Sequence, residues 1–312
     1  MAARGILADG AARPPCAVDS AERHEALGAT ASRVRSWLLI EQPGAWGRDA
    51  VLESKLDRTV AAAIVARCRA LGVRPLLIRR PGWRRPVARR HCYLAHSGPR
   101  RSWLEELLLD DVADLLALDW STFTSGRTPG VGSAHAGPLY LVCTNGRHDR
   151  CCADLGRPLA RALADAGVGD VWECSHIGGD RFAANLVCLP EGVYFGRVGA
   201  DEGVAVAADY AGGLLTLERY RGRSCYPPLV QAAELFARRA GDVRGIDGLI
   251  ATAVAVRGAD VADVTLESPS GGGWRVRVSR ERSSRAVALT CRSEGSARPW
   301  EYHLVDLAQV PA

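Results

Sequence analysis

Two stretches of the chain concentrate side chains able to hold a soft metal. The first is Cys143-Thr144-Asn145-Gly146-Arg147-His148-Asp149-Arg150-Cys151-Cys152. The second is Cys174-Ser175-His176-Ile177-Gly178-Gly179-Asp180-Arg181. Half of the ten cysteines fall between Cys143 and Cys188. Thiolates and imidazoles bind soft or borderline metals once deprotonated. The polar loop between Cys143 and Cys152 turns at Asn145-Gly146, so it can fold around an object and return both sulfurs to it. His176 and Asp180 are four apart, and Gly178 and Gly179 let the backbone approach a neighbour closely. Arg147, Arg150 and Arg181 could offset the negative charge of bound thiolates. Burial in an apolar core is the ordinary fate of a free cysteine. It accounts for Cys68, Cys92 and Cys188, each in an apolar run, but poorly for Cys151-Cys152 among arginine and aspartate. Cys16, Cys225 and Cys291 lie outside this region.

The elements that position these residues read as follows. A chain of 312 residues with 47% hydrophobic and 24% charged residues is long enough for two or three domains. Residues 1–27, rich in Ala, Arg, Gly and Pro, read as a poorly ordered tail. A first α/β domain covers 28–137. Its strands are expected at 36–41, 75–78 and 91–95, with helices over 56–71 and 104–118. The Gly/Pro/Ser-rich 126–137 reads as its boundary. A second domain covers 138–222: a strand at 139–143, a helix at 156–166, a strand at 171–174, a hairpin across Pro190-Glu191-Gly192 and a small helix at 204–210. That is the thioredoxin-like order. Residues 223–312 read as a small α+β unit. Helices are expected from Pro227-Pro228 to 240 and over 246–256, then strands at 264–267, 274–279, 286–291 and 300–304. No internal repeat is evident.

Charge narrows the partners. All but one of the 40 basic residues are arginine, the exception being Lys55, and the net charge is only +5. The arginines are scattered, which argues against nucleic acid as a partner. The densest run, from Arg79-Arg80 to Arg89-Arg90, reads as a solvated loop. No apolar run approaches the length of a membrane span, so no membrane partner is expected. Met1 to Val18 carry no secretory apolar stretch. The expected location is therefore the cytoplasm, where thiols stay reduced and ten cysteines are not a disulfide framework.

Leu141-Val142-Cys143-Thr144-Asn145-Gly146, Asp149-Arg150-Cys151-Cys152 and Ser175-His176-Ile177-Gly178-Gly179-Asp180-Arg181-Phe182-Ala183 together resemble the sucrase/ferredoxin-like family. The segment from Trp37 to Gly47 and Tyr220-Arg221-Gly222-Arg223-Ser224 fit it too. The resemblance covers about residues 30–226. It implies a thioredoxin-like ferredoxin domain, preceded by an α/β domain and followed by the α+β unit. It also implies a [2Fe–2S] cluster held by two cysteines and a His-x-Gly-Gly-His pair. Carried over by position, the ligands are Cys143, Cys152 and His176. The fourth position departs from the family pattern, since it is Asp180 and not histidine. Cys174 or Cys151 is the alternative fourth ligand. Exchanging thiolate for histidine raises the potential of such clusters, and an extra thiolate or carboxylate lowers it.

The implied function is one-electron transfer with a redox partner protein, and not hydrolysis. Glycoside hydrolysis needs two placed carboxylates, while Glu105-Glu106 and Asp110-Asp111 read as a solvated helix face. Two alternatives use the same residues. One is a zinc site. The other is a metal-free interaction module in which Asp180 marks the loss of the cluster. Cys151-Cys152 is not a Cys-x-x-Cys motif, and Gly126 to Gly132 lacks the context of a phosphate loop. His24, His91, His96, His135 and His303 read as surface or satisfied histidines, and Trp37 and Trp46 as core.

Overall fold

A computed structural model describes residues 13–82 and 84–311. The first twelve residues of the expected tail lie outside the described residues. The chain first forms α1 (Cys16–Glu22), β1 (Ser36–Glu41), α2 (Arg58–Leu71), β2 (Val73–Arg79), β3 (Arg90–His96), β4 (Trp103–Leu109), α3 (Trp120–Thr124) and β5 (Ser133–Ala134). It continues with β6 (Leu139–Cys143), α4 (Arg150–Asp165), β7 (Asp170–Cys174), β8 (Leu186–Leu189), β9 (Val193–Phe195), α5 (Gly203–Ala211) and β10 (Tyr220–Arg223). It ends with α6 (Pro228–Gly241), β11 (Ile250–Arg257), β12 (Val261–Glu267), β13 (Gly273–Arg282) and β14 (Trp300–Val310).

Local chemistry explains the best-defined elements. Every residue of β1 is buried, as a continuous apolar run demands in a strand covered on both faces. Asp57 caps α2 by accepting from the amides of Thr59 and Val60, and left-handed Gly72 ends it. Asp149 caps α4 by accepting from Cys151 N. Proline opens α6, where no amide is needed.

Ten strands form one sheet in the order β10-β9-β8-β6-β7-β2-β1-β3-β4-β5. β1 and β2 are parallel, β3 is antiparallel to β1, and β4 to β3. β6 and β7 are likewise parallel, β8 is antiparallel to β6, and β9 to β8. The two halves therefore repeat one topology, with α2 and α4 as corresponding crossovers. This repeat is invisible in the sequence because the halves share an order of elements and not a residue pattern. They meet edge to edge where β2 pairs antiparallel with β7, Ile78 opposite Cys174 and Arg79 opposite Glu173. One core cluster crosses this seam, joining Trp37, Leu39, Ile78 and Tyr93 to Leu141, Cys143, Trp172 and Tyr194. A second sheet, β11-β12-β13-β14, packs against α6. The fold is thus mixed α/β. No helix among the described residues is long and apolar enough to cross a membrane.

Several expected elements change. Residues 104–118 form β4 and a 3-10 turn at Val112–Ala117 instead of a helix. Seven residues of β4 pair with β3, and that ladder overrides the helical spacing of the leucines. Glu105 is consequently buried, accepting from Gly130 N at 2.8 Å. Glu106 meets His91 at 2.5 Å and His135 at 3.3 Å. Residues 250–257 are the edge strand β11 and not helix, since Ala and Val alternate with period two beside β12. Residues 286–291 form no strand; Val287 makes only an isolated bridge to Ala297. Within the expected tail, Cys16–Glu22 is helical with Cys16, Ala17 and Ser20 buried. Within the expected boundary, β5 pairs with β4.

The arginine run is not all solvated either. Arg79 forms a 2.8 Å ion pair with Glu173, their side chains 5% and 3% exposed. Its guanidinium lies 3.9 Å from the Trp46 ring centroid. Arg80 stacks on Trp172 and pairs with Asp170. Burial works to raise the Glu173 carboxyl, but Arg79 outweighs it and holds the group below its usual value. A depressed carboxylate stabilises the fold above its unfolded pKa, and that contribution is lost as pH falls through the folded value. Arg79→Ala is expected to cost about 3–5 kcal/mol at neutral pH by stranding a buried charge. Urea denaturation should show the deficit shrinking as pH falls through the carboxylate range towards the depressed folded value of Glu173, since the variant's buried carboxyl takes up its proton first.

Candidate metal centre

The site stands at the seam. β6 ends on Cys143, the loop 144–149 turns back, and the first turn of α4 carries Cys151 and Cys152. Thr144 Oγ1 donates to Glu173 at 2.9 Å, tying this loop to the seam pair. On the other side β7 ends on Cys174. Ser175 N donates to Leu77 O at 2.8 Å, and Ser175 Oγ accepts from Leu77 N at 3.0 Å. Arg74 donates to His176 O and Ser32 to Ile177 O, both at 2.8 Å. The first half of the sheet thus holds the histidine loop of the second.

Gly178 and Gly179 adopt φ values of 99° and 82°. A Cβ at Gly178 would stand 2.4 Å from Ser32 Oγ, and one at Gly179 would stand 2.3 Å from an Arg221 nitrogen. The close approach read from these glycines is therefore to Ser32 and Arg221. The buried Arg221 guanidinium also bonds Gly178 O at 3.1 Å and Asn185 Oδ1 at 2.7 Å.

The candidate ligand atoms converge. Those of Cys143, Cys152 and His176 all lie within 4.8 Å of one another, as do those of His148, His176 and Asp180. His176 belongs to both groups. Asp180 is 2% exposed. Its carboxylate accepts from the Cys152 thiol at 3.1 Å and lies 2.9 Å from His176 Nδ1 and 3.5 Å from His148 Nε2. The two imidazoles stack with centroids 3.6 Å apart. His176 Nδ1 is buried, and its contact with Asp180 is not aligned as a hydrogen bond. A buried imidazole nitrogen without a hydrogen bond, on a residue whose ligand atoms meet two cysteines and a carboxylate, suits a metal ligand.

The charges are arranged to match. Burial favours neutral Asp180, yet the adjoining His148 and His176 imidazoles hold it well below the usual carboxylate range. Burial disfavours charged His176, but Asp180 and Cys143 raise it to about 9. The Cys152 hydrogen bond, with His176, draws Cys143 toward thiolate against its burial.

Of the residues singled out by sequence, Cys143, Cys152, His176 and Asp180 come together. Cys174 is the register partner of Cys143 on the next strand, but its sulfur joins neither group. Cys151 turns away, toward Cys16 and Cys291. Arg147 and Arg150 are exposed and line a cleft of about 390 Å³ with Arg79, Arg157 and Arg292. Arg181 pairs with Glu25 at 2.7 Å and packs over Phe182, so it does not serve the thiolates. Sequence reasoning missed His148, although it sits in the loop between the two cysteines. It also set aside Cys16 and Cys291, whose chain distance from Cys151 leaves no local signal.

The family model described as sucrase/ferredoxin-like matches residues 27–222. The chain belongs to the sucrase/ferredoxin-like family. No curated protein and no solved structure matches it. The matched span of this sucrase/ferredoxin-like chain contains both halves of the large sheet and all five residues of the site. It excludes Cys16, all of α6 and everything after it, Cys291 included.

Gly179→Ala tests how tightly the histidine loop is held. With a left-handed φ and the Arg221 guanidinium in the way, the substitution is expected to cost about 1–3 kcal/mol, measurable by chemical denaturation of the metal-free protein.

Proposed function

We propose that this chain is an electron-transfer protein that holds a [2Fe–2S] cluster in a thioredoxin-like unit spanning about 138–222. The observation that carries the reading is the convergence of the Cys143 and Cys152 sulfurs on His176, with His148 and Asp180 beside it. The donor types fit the group: two thiolates suit one iron, and an imidazole with a second nitrogen or a carboxylate suits the other. Cys143 and Cys152 would hold the first iron. His176 would hold the second, with Asp180 or His148 as fourth ligand. The strand order β9-β8-β6-β7, with α4 between the parallel pair, supports the thioredoxin-like part of the reading.

A bound cluster supplies a one-electron couple. The chain's own residues set its surroundings. Cys143 and Cys152 are each 1% exposed, so water is kept from the sulfur side. His148 and His176 keep 23% and 24% of their side chains exposed. The histidine side is therefore the face a redox partner protein would approach. Asp180 adds a buried negative charge beside His176, which favours the oxidised state. The arrangement needs reduced thiols, in keeping with a cytoplasmic setting.

Anaerobically purified protein is expected to be red-brown, to carry iron and sulfide, and to give an electron paramagnetic resonance signal on reduction. Cys143→Ser and Cys152→Ser should each abolish all three. His176→Cys should keep the cluster and lower its potential, by on the order of 100 mV. Asp180→Asn and His148→Ala distinguish the fourth ligand, since only the ligand's loss should strip iron. Zinc without iron that is lost in Cys143→Ser would replace this reading with a zinc site. Absence of both after reconstitution would leave an interaction module.

A further inference from the structure

A second group of sulfurs lies on the other side of the first turn of α4. Cys16 comes from α1, Cys151 from α4, and Cys291 from the loop between β13 and β14. The Cys16–Cys151, Cys151–Cys291 and Cys291–Cys16 sulfur separations are 3.8, 3.4 and 3.5 Å. Asp149 completes the group, its oxygens 3.6 and 3.8 Å from the Cys16 sulfur. All four ligand atoms lie within 4.8 Å of one another. We propose that Cys16, Cys151, Cys291 and Asp149 form a second metal site that binds a single zinc ion.

The spacing selects the ligand. Tetrahedral zinc with Zn–S bonds of about 2.3 Å places its sulfurs about 3.8 Å apart, and a carboxylate oxygen at about 2.0 Å lies about 3.5 Å from each. The observed separations match these values to within a few tenths of an ångström. Three thiolates on an iron–sulfur cluster would occupy more than one iron and stand farther apart. A disulfide requires sulfurs about 2.0 Å apart, and all three cysteines are free.

The surroundings are those of a thiolate site. Cys16 N donates to the Cys291 sulfur at 3.3 Å. Cys151 N and Cys291 N donate to Asp149 at 2.8 and 2.6 Å, which fixes the carboxylate beside the sulfurs. The amino-terminal end of α4 favours negative charge at Cys151. Cys16, Cys151 and Asp149 are 1%, 2% and 0% exposed, while Cys291 is half-buried and leaves a path for the ion. Zinc here would fasten α1 and the β13–β14 loop to the helix that carries Cys152. A direct bond from Arg13 to Ser293 O at 2.8 Å already joins those two segments. Cys16 and Cys291 fall outside the span 27–222 of the family match, so the site does not depend on the cluster reading.

The test is metal analysis of the untagged full chain, purified anaerobically without chelator, as wild type, Cys16→Ser, Cys291→Ser and Cys143→Ser. The expected result is about one zinc per chain in wild type and Cys143→Ser. In Cys16→Ser and Cys291→Ser zinc should fall roughly tenfold or more, with iron retained. Zinc-free wild type that also binds no cobalt(II), zinc unchanged in the Cys16 and Cys291 variants, or zinc lost only in Cys143→Ser would each overturn the site. So would a disulfide among the three cysteines in anaerobic protein. Should the variants not fold, alkylation of wild type decides. A chelator should expose Cys16, Cys151 and Cys291 together, and equal labelling before and after chelation would refute the proposal. Iron without zinc sinks this inference alone, and zinc without iron sinks the cluster reading alone.

Discussion

The pairing of β2 with β7, closed by the buried Arg79–Glu173 ion pair, is the contact on which the rest of the site depends. Glu173 receives Arg79, Thr144, Gly82 N and Arg84 at once. A carboxylate so buried is tolerable only because its oxygens are filled from several directions. Those donors come from three segments. Thr144 opens the cysteine loop, Gly82 and Arg84 belong to the connection after β2, and Arg79 also braces Trp46. One anion therefore sets the position of the Cys143 loop relative to the first half of the sheet. Ser175, immediately beyond β7, then exchanges hydrogen bonds with Leu77 and delivers His176. The sulfurs and the imidazole reach one another because both of their loops spring from the same seam.

The repeated topology shows how the candidate site comes to lie in one half. In both halves the first strand leads through a loop into an aspartate-capped crossover helix, capped by Asp57 in one and Asp149 in the other. In the second half the strand ends on Cys143 and the cap is followed by Cys151-Cys152. In the first half the strand ends on Glu41, and its loop spends its residues on packing. Trp46 donates to Gln42 O at 2.8 Å, and Asn145 reaches across to Gly47 O at 3.2 Å. The first half is thus a scaffold that buries its corresponding loop against the seam. Its β2 supplies the Arg74 and Leu77 contacts that hold the histidine loop.

What was legible in the sequence was local. Strand, loop and helix around Cys143 and Cys152, and the glycine-bearing loop after Cys174, are contiguous patterns, and the residues that converge come mostly from them. What was hidden depended on distant pairing. β4 reads as a helix until β3 is seen beside it, and β11 reads as a helix until β12 claims its alternate residues. Arg79 reads as solvated until Glu173 arrives from almost a hundred residues away. Cys16 and Cys291 have no signal at all, because an N-terminal helix and a C-terminal loop meet only in three dimensions. His148 was the one miss with a local cue. Its place within the Cys143–Cys152 loop, turned back toward Asp180, required only that the loop be closed.

The adjacent pair Cys151-Cys152 is the point where the two sulfur groups part. Successive residues on a helix are rotated by about 100°, and here the neighbouring cysteines face different partners. Cys152 points to Cys143, His176 and Asp180, while Cys151 points to Cys16 and Cys291. The aspartates follow the same division, Asp180 with the first group and Asp149 with the second. They still feel each other: burial pushes the Asp149 carboxyl up to about 6, and the charge of Asp180 adds to the rise. Two anion-rich groups this close on one helical turn raise each other's cost. A cation on either side lowers that cost for the other. The first turn of α4 is therefore both a geometric divider and an electrostatic link between the two groups.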